Sequence, residues 1–153
     1  MTDTIEDRID RLESRFALRD LVSDYCHGFD KHDWDRFLAI WWEDCTWEIG
    51  PPFGDFHGHE GIARAVKGIL WPAWKESSHF TTNLVVQFTG RDHANGICDV
   101  DCIGTTADEV AQTVSATYTD EFERRGEIWK IKRRKVTMHH FSALTGVTLA
   151  PPQ

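Results

Sequence analysis

His79 and Asp30 are the two residues of this chain best suited to moving a proton. His79 opens a strand-like segment just after the apolar turn Trp71-Pro72-Ala73-Trp74. Apolar company and a strand end are conditions that tune an imidazole for acid–base work. Asp30 falls at the C-terminal end of a long helical pattern, next to core-facing Phe29. A carboxylate opposes the helix dipole at that end, so it invites a partner, and an imidazole is a natural one. The pattern leaves two readings open. A lone His is more often a hydrogen-bonded structural histidine, and Asp30 is equally a residue that turns the chain toward Lys31 and His32.

Two further side chains could support such chemistry. Arg134 alternates with Val136 and Met138, with Lys130 and Lys132 earlier on the same parity. Pointing inward, an arginine there would hold an anionic leaving group or oxygen; pointing outward, it belongs to a solvated basic strand. Tyr25 lies on the apolar side of the long helix, where its hydroxyl is a neutral hydrogen-bond donor if it meets a cavity. Cys98, Val100 and Cys102 alternate with Asp99 and Asp101, which places the first three inside and the acids outside.

Other chemistries lack their residues. His57-x-His59 and His139-His140 are short pairs without the spacing of a structural metal site, so no metal is expected. The chain has no glycine-rich phosphate loop, no dinucleotide fingerprint and no GxSxG elbow, so no cofactor is expected either. The formal charge of −8 argues against nucleic acid, whose phosphates need a basic face. No apolar run is long enough for a membrane span, and the acidic, polar start is unlike a signal peptide, so a cytoplasmic home is expected. Cys98 and Cys102 would sit about 13 Å apart along a strand, too far for a disulfide. With Cys26 and Cys45 they fit free thiols in a reducing compartment.

These residues need elements to hold them. Ile5, Ile9, Leu12, Phe16, Leu21, Tyr25 and Phe29 recur at helical spacing, predicting one helix over Ile5 to Asp30. A short helix follows from Asp33 to Leu38, with Asp33 as N-cap. Cys45 to Ile49 reads as a strand, stopped by Gly50-Pro51-Pro52 and a loop to Gly58. His59 to Leu70 reads as a third helix ended by Pro72. Ser78–Thr89, Ala94–Thr105, Val110–Arg124 and Glu127–Phe141 are rich in β-branched and aromatic residues and read as strands. Gly90-Arg91-Asp92 and Arg125-Gly126 supply turns, and Ser142 to Gln153 an extended tail. Helices first and then antiparallel strands make an α+β fold, here one domain over 1–153. Seven Trp and nine Phe in 153 residues suggest that something large and apolar is lined.

Several segments also resemble a known family. Leu38-Ala39-Ile40-Trp41-Trp42-Glu43-Asp44, Ile69-Leu70-Trp71-Pro72, His79-Phe80-Thr81-Thr82-Asn83-Leu84, Asp120-Glu121-Phe122-Glu123-Arg124-Arg125 and Phe141 to Pro152 resemble the gamma-hexachlorocyclohexane dehydrochlorinases, in order over nearly the whole chain. Asp30-Lys31-His32-Asp33-Trp34-Asp35-Arg36 is similar to the scytalone dehydratases. Both groups belong to the nuclear transport factor 2-like (SnoaL-like) superfamily. The resemblance implies a cone-shaped α+β barrel with N-terminal helices packed on a curved, mostly antiparallel sheet around a deep pocket. It implies a catalytic pair at His79 and Asp30 and an arginine at Arg134. It places the pocket lining at Trp47, Trp74, Val100, Cys102, Ala116, Tyr118 and Met138.

One departure bears on the chemistry. The dehydrochlorinases carry a lysine five residues before the aspartate, and this chain carries Tyr25 there. A phenol lacks the positive charge that an ammonium offers a departing chloride, yet it donates to a carbonyl or hydroxyl oxygen. The expected function is a lyase, of dehydratase or dehydrohalogenase type, acting on a hydrophobic, cyclic small molecule. The alternatives are a non-catalytic ligand-binding or oxygenase-subunit-like module, or a ketosteroid or polyketide isomerase-cyclase. The resemblance also implies a homo-oligomer, a trimer by preference, with Asp99, Asp101, Ser115 and Thr117 on the broad sheet face.

Overall fold

The computed structural model describes residues 4–147. Helix α1 (Ile5–Asp30) starts at a capping box in which Thr4 and Asp7 satisfy each other's free N–H groups. Helix α2 (Trp34–Ala39) is capped by Asp33, whose carboxylate accepts from the Arg36 N–H. Gly28 lets the two helices meet: a Cβ there would stand 2.8–2.9 Å from Phe37 backbone atoms.

Strand β1 (Trp41–Gly50) begins four residues before the predicted start. The predicted loop before Gly58 contains β2 (Gly54–His57), which forms a hairpin with β1. The third helix is divided. Regular α3 (Gly58–Ala65) widens into a π-helical turn over Val66–Leu70, followed by the short α4 (Trp71–Ala73). The run passes Pro72 and stops one residue later, at Ala73, before extended Trp74.

The predicted strand Ser78–Thr89 is two strands, β3 (Trp74–Phe80) and β4 (Val85–Phe88). Between them Asn83 turns its side chain onto Asp99, accepting from its backbone N–H and donating to its carboxylate. Side-chain bonds there take the place of ladder bonds. Long strands β5 (His93–Thr106), β6 (Ala111–Arg125) and β7 (Ile128–Ala143) complete the sheet. Of the predicted tail, Ser142 and Ala143 belong to β7, and residues 148–153 lie outside the described residues.

The sheet is an open, curved layer in the order β2-β1-β7-β6-β5-β3, with β4 also on β5. It does not close into a barrel. Only β1 and β7 run parallel among the paired strands. The helices cover its concave face, and one apolar cluster fills the space between them. No helix among the described residues is long and apolar enough to cross a membrane.

The long helix departs from its predicted face. Tyr25 and Phe29 are buried as expected, but Ile5, Ile9, Leu12 and Phe16 are exposed, Phe16 by 63%. In the first half the polar side of α1 meets the sheet. Asp10 receives a two-pronged bond from Arg124, and Ser14 accepts from the Trp129 indole. Those polar contacts rotate the apolar stripe away from the core.

Candidate functional site

The end of α1 and the start of the sheet converge on Asp30. Strand β3 pairs with β5 so that His79 lies opposite Cys102 and Ser77 opposite Gly104. Gly104 is required for this approach, since a Cβ there would collide with the Glu76 carbonyl and come within 2.9 Å of Ser77. On the other side, the Trp71 indole donates to the Phe29 carbonyl at 3.0 Å and pins the last turn of α1. Asp30 therefore meets β3 side-on. Its Oδ1 lies 2.6 Å from His79 Nδ1 and accepts from Ser77 Oγ at 2.7 Å. Its Oδ2 accepts from the His79 backbone N–H at 2.7 Å. Three donors fix one carboxylate, and that carboxylate fixes the ring.

Burial pushes the Asp30 carboxyl up. The His79 hydrogen bond and charge, its backbone N–H and the Ser77 hydroxyl outweigh this and hold it below its ordinary value. A carboxylate at Nδ1 keeps the proton on that nitrogen and leaves Nε2 as the basic atom of the ring.

An apolar cavity opens beside this pair. Tyr25, Phe29, Trp47, Ile49, Leu70, Trp74, His79, Cys102, Ala116, Tyr118 and Met138 line it, with Phe53, Val114, Val136 and Phe141. Of the predicted lining residues, Trp47, Trp74, Cys102, Ala116, Tyr118 and Met138 are all here. Val100 is not: it is buried in the core. Phe53 and Phe141 were not anticipated. They reach the cavity from the β1–β2 turn and the end of β7, and meet at the rim with Trp74.

Arg134 is inside, as one of its two readings required, but it does not line the cavity. It is fully buried, with Nε and Nη2 each 2.8 Å from the carboxylate of Asp120. Its guanidinium lies 4.4 Å from the Tyr25 ring centre and 4.2 Å from that of Tyr118. Burial pulls its pKa down, and the Asp120 charge and hydrogen bonds outweigh that and keep it charged. Nη1 has no hydrogen-bond partner among the described residues. Lys130 and Lys132 do not share its face, because a bulge in the β6–β7 pairing intervenes. Phe122 pairs with Ile131 but Glu121 with Arg133, which inverts the alternation and sets Arg134 opposite Asp120.

Tyr25 stands at the centre of the aromatic wall. Its ring meets that of His79 edge-on at 6.0 Å and that of Trp47 at 6.0 Å. Its hydroxyl accepts from the Tyr118 hydroxyl at 3.3 Å. Asp99 and Asp101 point outward, and Asp99 is engaged by Asn83 and Thr117. The four cysteines are free thiols, and no group of His, Cys, Asp or Glu among the described residues is arranged to hold a metal.

A family model for the SnoaL-like domain matches residues 10–135. The chain belongs to the SnoaL-like family. It is 39% identical over 145 residues to hexachlorocyclohexane dehydrochlorinase 1 of Sphingobium indicum, covering 94% of each chain. The crystal structure of LinA superposes with a TM-score of 0.92 at 37% identity, over 95% of this chain and 99% of that one. A Novosphingobium aromaticivorans protein provisionally designated a scytalone dehydratase superposes at 0.81 with 22% identity, over 94% and 96%, a likeness of fold alone. Within the SnoaL-like family the curated relatives are lyases, and this chain is a lyase-type enzyme.

Proposed function

We propose that this enzyme removes a carbon-bound proton from a hydrophobic, cyclic small molecule and eliminates a neighbouring group, without a cofactor. The observation that carries the reading is the 2.6 Å contact between His79 Nδ1 and Asp30 Oδ1 beside an apolar cavity. His79 Nε2 takes the proton, and the C–H electron pair becomes the new C=C bond as the leaving group departs with its own pair. Asp30 fixes the tautomer and stabilises the imidazolium that forms. The apolar walls exclude water and select a hydrophobic ring. Relatives named for hexachlorocyclohexane dehydrochlorination support the elimination class.

The test is turnover by wild type and His79→Ala across chlorinated cyclohexanes, hydroxylated ketones and aromatic-polyketide alcohols, read as chloride release or alkene formation. Whichever compound wild type converts, the variant should be slower by roughly 10²–10⁴-fold. Unimpaired turnover by His79→Ala would overturn the assignment.

The reading includes a cytoplasmic enzyme that associates with further copies of itself, as a trimer. Ile97 and Ile103 support this: 50% and 36% exposed, they flank Asp99 and Asp101 on the outer face of β5. That face continues over Ser115 and Thr117 of β6 and makes a broad surface for a second copy. Light scattering after gel filtration should give the mass of a trimer, and a monomer at micromolar concentration counts against it.

A further inference from the structure

We infer that the groove between α1 and the β3–β4 connection is a second ligand site, and that it takes an amphipathic organic anion: a carboxylate joined to an apolar chain or ring.

The groove encloses about 650 Å3, within the range of small-molecule sites. It shares no lining residue with the cavity beside His79. Its first wall follows from the rotation of α1. Asp10 and Ser14 turn to Arg124 and Trp129, and this leaves Leu12 and Phe16 facing outward, 57% and 63% exposed. From the β3–β4 side, Leu84 and Val86 supply more apolar surface.

The charge on these walls is of one sign. Arg15 and Arg19 stand one helical turn apart, a spacing at which like charges repel. No carboxylate lines the groove. Glu13 and Asp20 lie beyond the Leu12–Phe16 ridge, and Asp24 is turned to Arg36 at 3.7 Å. Arg15 is fixed in place: its Nη1 donates to the Val86 carbonyl at 3.2 Å, and its guanidinium packs over the Phe88 ring. The Arg19 guanidinium has no hydrogen bond or ion pair among the described residues. In a chain of formal charge −8, two arginines with no acid between them make a local attraction for an anion.

The two kinds of surface together choose the ligand. A bare phosphate or sulfate would pair with the arginines and leave Leu12 and Phe16 in water. A hydrocarbon would cover the apolar side chains and strip water from the guanidiniums without replacing its hydrogen bonds. A carboxylate with an apolar tail satisfies both. The guanidinium fork matches a planar carboxylate through paired N–H bonds. The Thr82 hydroxyl, unpaired among the described residues, is a further donor on the same wall as Thr81 and Leu84. Leu12 and Arg19 are seven residues apart, about 10 Å along the helix. That length fits a carboxylate separated from an aryl ring by a few methylenes.

The probe is 4-phenylbutyrate, with 4-phenylbutyramide as its uncharged counterpart. In an NMR titration the backbone amide signals of Ser23 and Thr82 report the groove, and those of Ala116 and Tyr118 report the cavity. At low salt, wild type should bind the acid about tenfold tighter than the amide, the worth of one hydrogen bond to a charged group. Raising the salt to about 0.5 M should weaken the acid and spare the amide. Arg19→Gln should remove most of the preference and leave amide binding as it was, which also reports an intact groove. Phe16→Ser should weaken both probes. Light scattering should give wild type and Arg19→Gln the same mass. Four results overturn the inference: equal binding of acid and amide by wild type, a preference that survives Arg19→Gln, Phe16→Ser that weakens neither probe, or shifts confined to Ala116 and Tyr118. A mass that falls in Arg19→Gln overturns it as well, because a second copy then fills the groove.

Discussion

Asp30 and Asp120 each hold a basic side chain against the core, and the two pairs are built differently. Asp30 and His79 sit at the edge of the cavity, with side chains 15% and 11% exposed. Asp120 and Arg134 are completely enclosed, at 0% each. The first pair joins a carboxylate to a group that can gain and lose a proton. The second joins one to a group that stays charged at any working pH. Proton transfer needs the first arrangement, since the partner must change state and reach a ligand. A constant field needs the second, since a fixed charge shielded from water polarises its neighbours without being neutralised. The rings of Tyr25 and Tyr118 carry that field to the cavity.

If the contrast is real, the same kind of substitution should have different consequences at the two sites. Asp120→Ala leaves the Arg134 charge buried and unpaired, and should cost about 3–5 kcal/mol of folding stability. Urea unfolding would show it as a lower midpoint with an unchanged slope. A midpoint that does not move would mean that Arg134 is not sealed. Asp30→Asn should act mainly on rate: turnover falls on the order of 10²–10⁴-fold because the tautomer is no longer fixed. Its stability should change by only about 1.5–3 kcal/mol, the range for a hydrogen bond to a charged group. A variant that unfolds easily but keeps its turnover would reverse the two roles.

The sequence was most legible where local pattern and packing agree. Asp33 caps α2 and Cys98, Val100 and Cys102 alternate inward because each follows from its immediate neighbours. Asp30 was legible as an anomaly, a carboxylate at the wrong end of a helix dipole, and the resemblance supplied its partner. The Arg134–Asp120 pair was not legible. Strict alternation from the Arg125-Gly126 turn sets Arg133 opposite Asp120, and the bulge that replaces it with Arg134 leaves no mark in residue types. The exposed stripe of α1 failed for a related reason. Asp10 and Ser14 look like solvent-facing residues until Arg124 and Trp129, more than a hundred positions away, take their hydrogen bonds. Phe53 and Phe141 reach the cavity rim from a turn and a strand end, positions that periodicity does not describe.

Acid titration should produce the smallest effect and gives a direct check on the open pair. Asp30 is held below the ordinary carboxyl value of 3.8: burial raises it, and His79 and Ser77 together lower it further. The folded state therefore favours the charged form more than the unfolded chain does. The resulting stability is fully present above the ordinary value, and is lost as the pH falls through the depressed folded value. Asp30→Asn has no proton to take up at this position. The stability difference between wild type and variant should thus shift against the wild type as the pH drops below about 5. Urea unfolding of both proteins at a series of pH values from 5 to 3 measures it. A difference that is flat throughout, or that shifts in favour of the wild type in acid, would mean that the folded state does not prefer the ionised Asp30. The carboxylate would then not be available to stabilise a protonated His79, and the distinction between an exchanging pair and a fixed one would fail at its exchanging end.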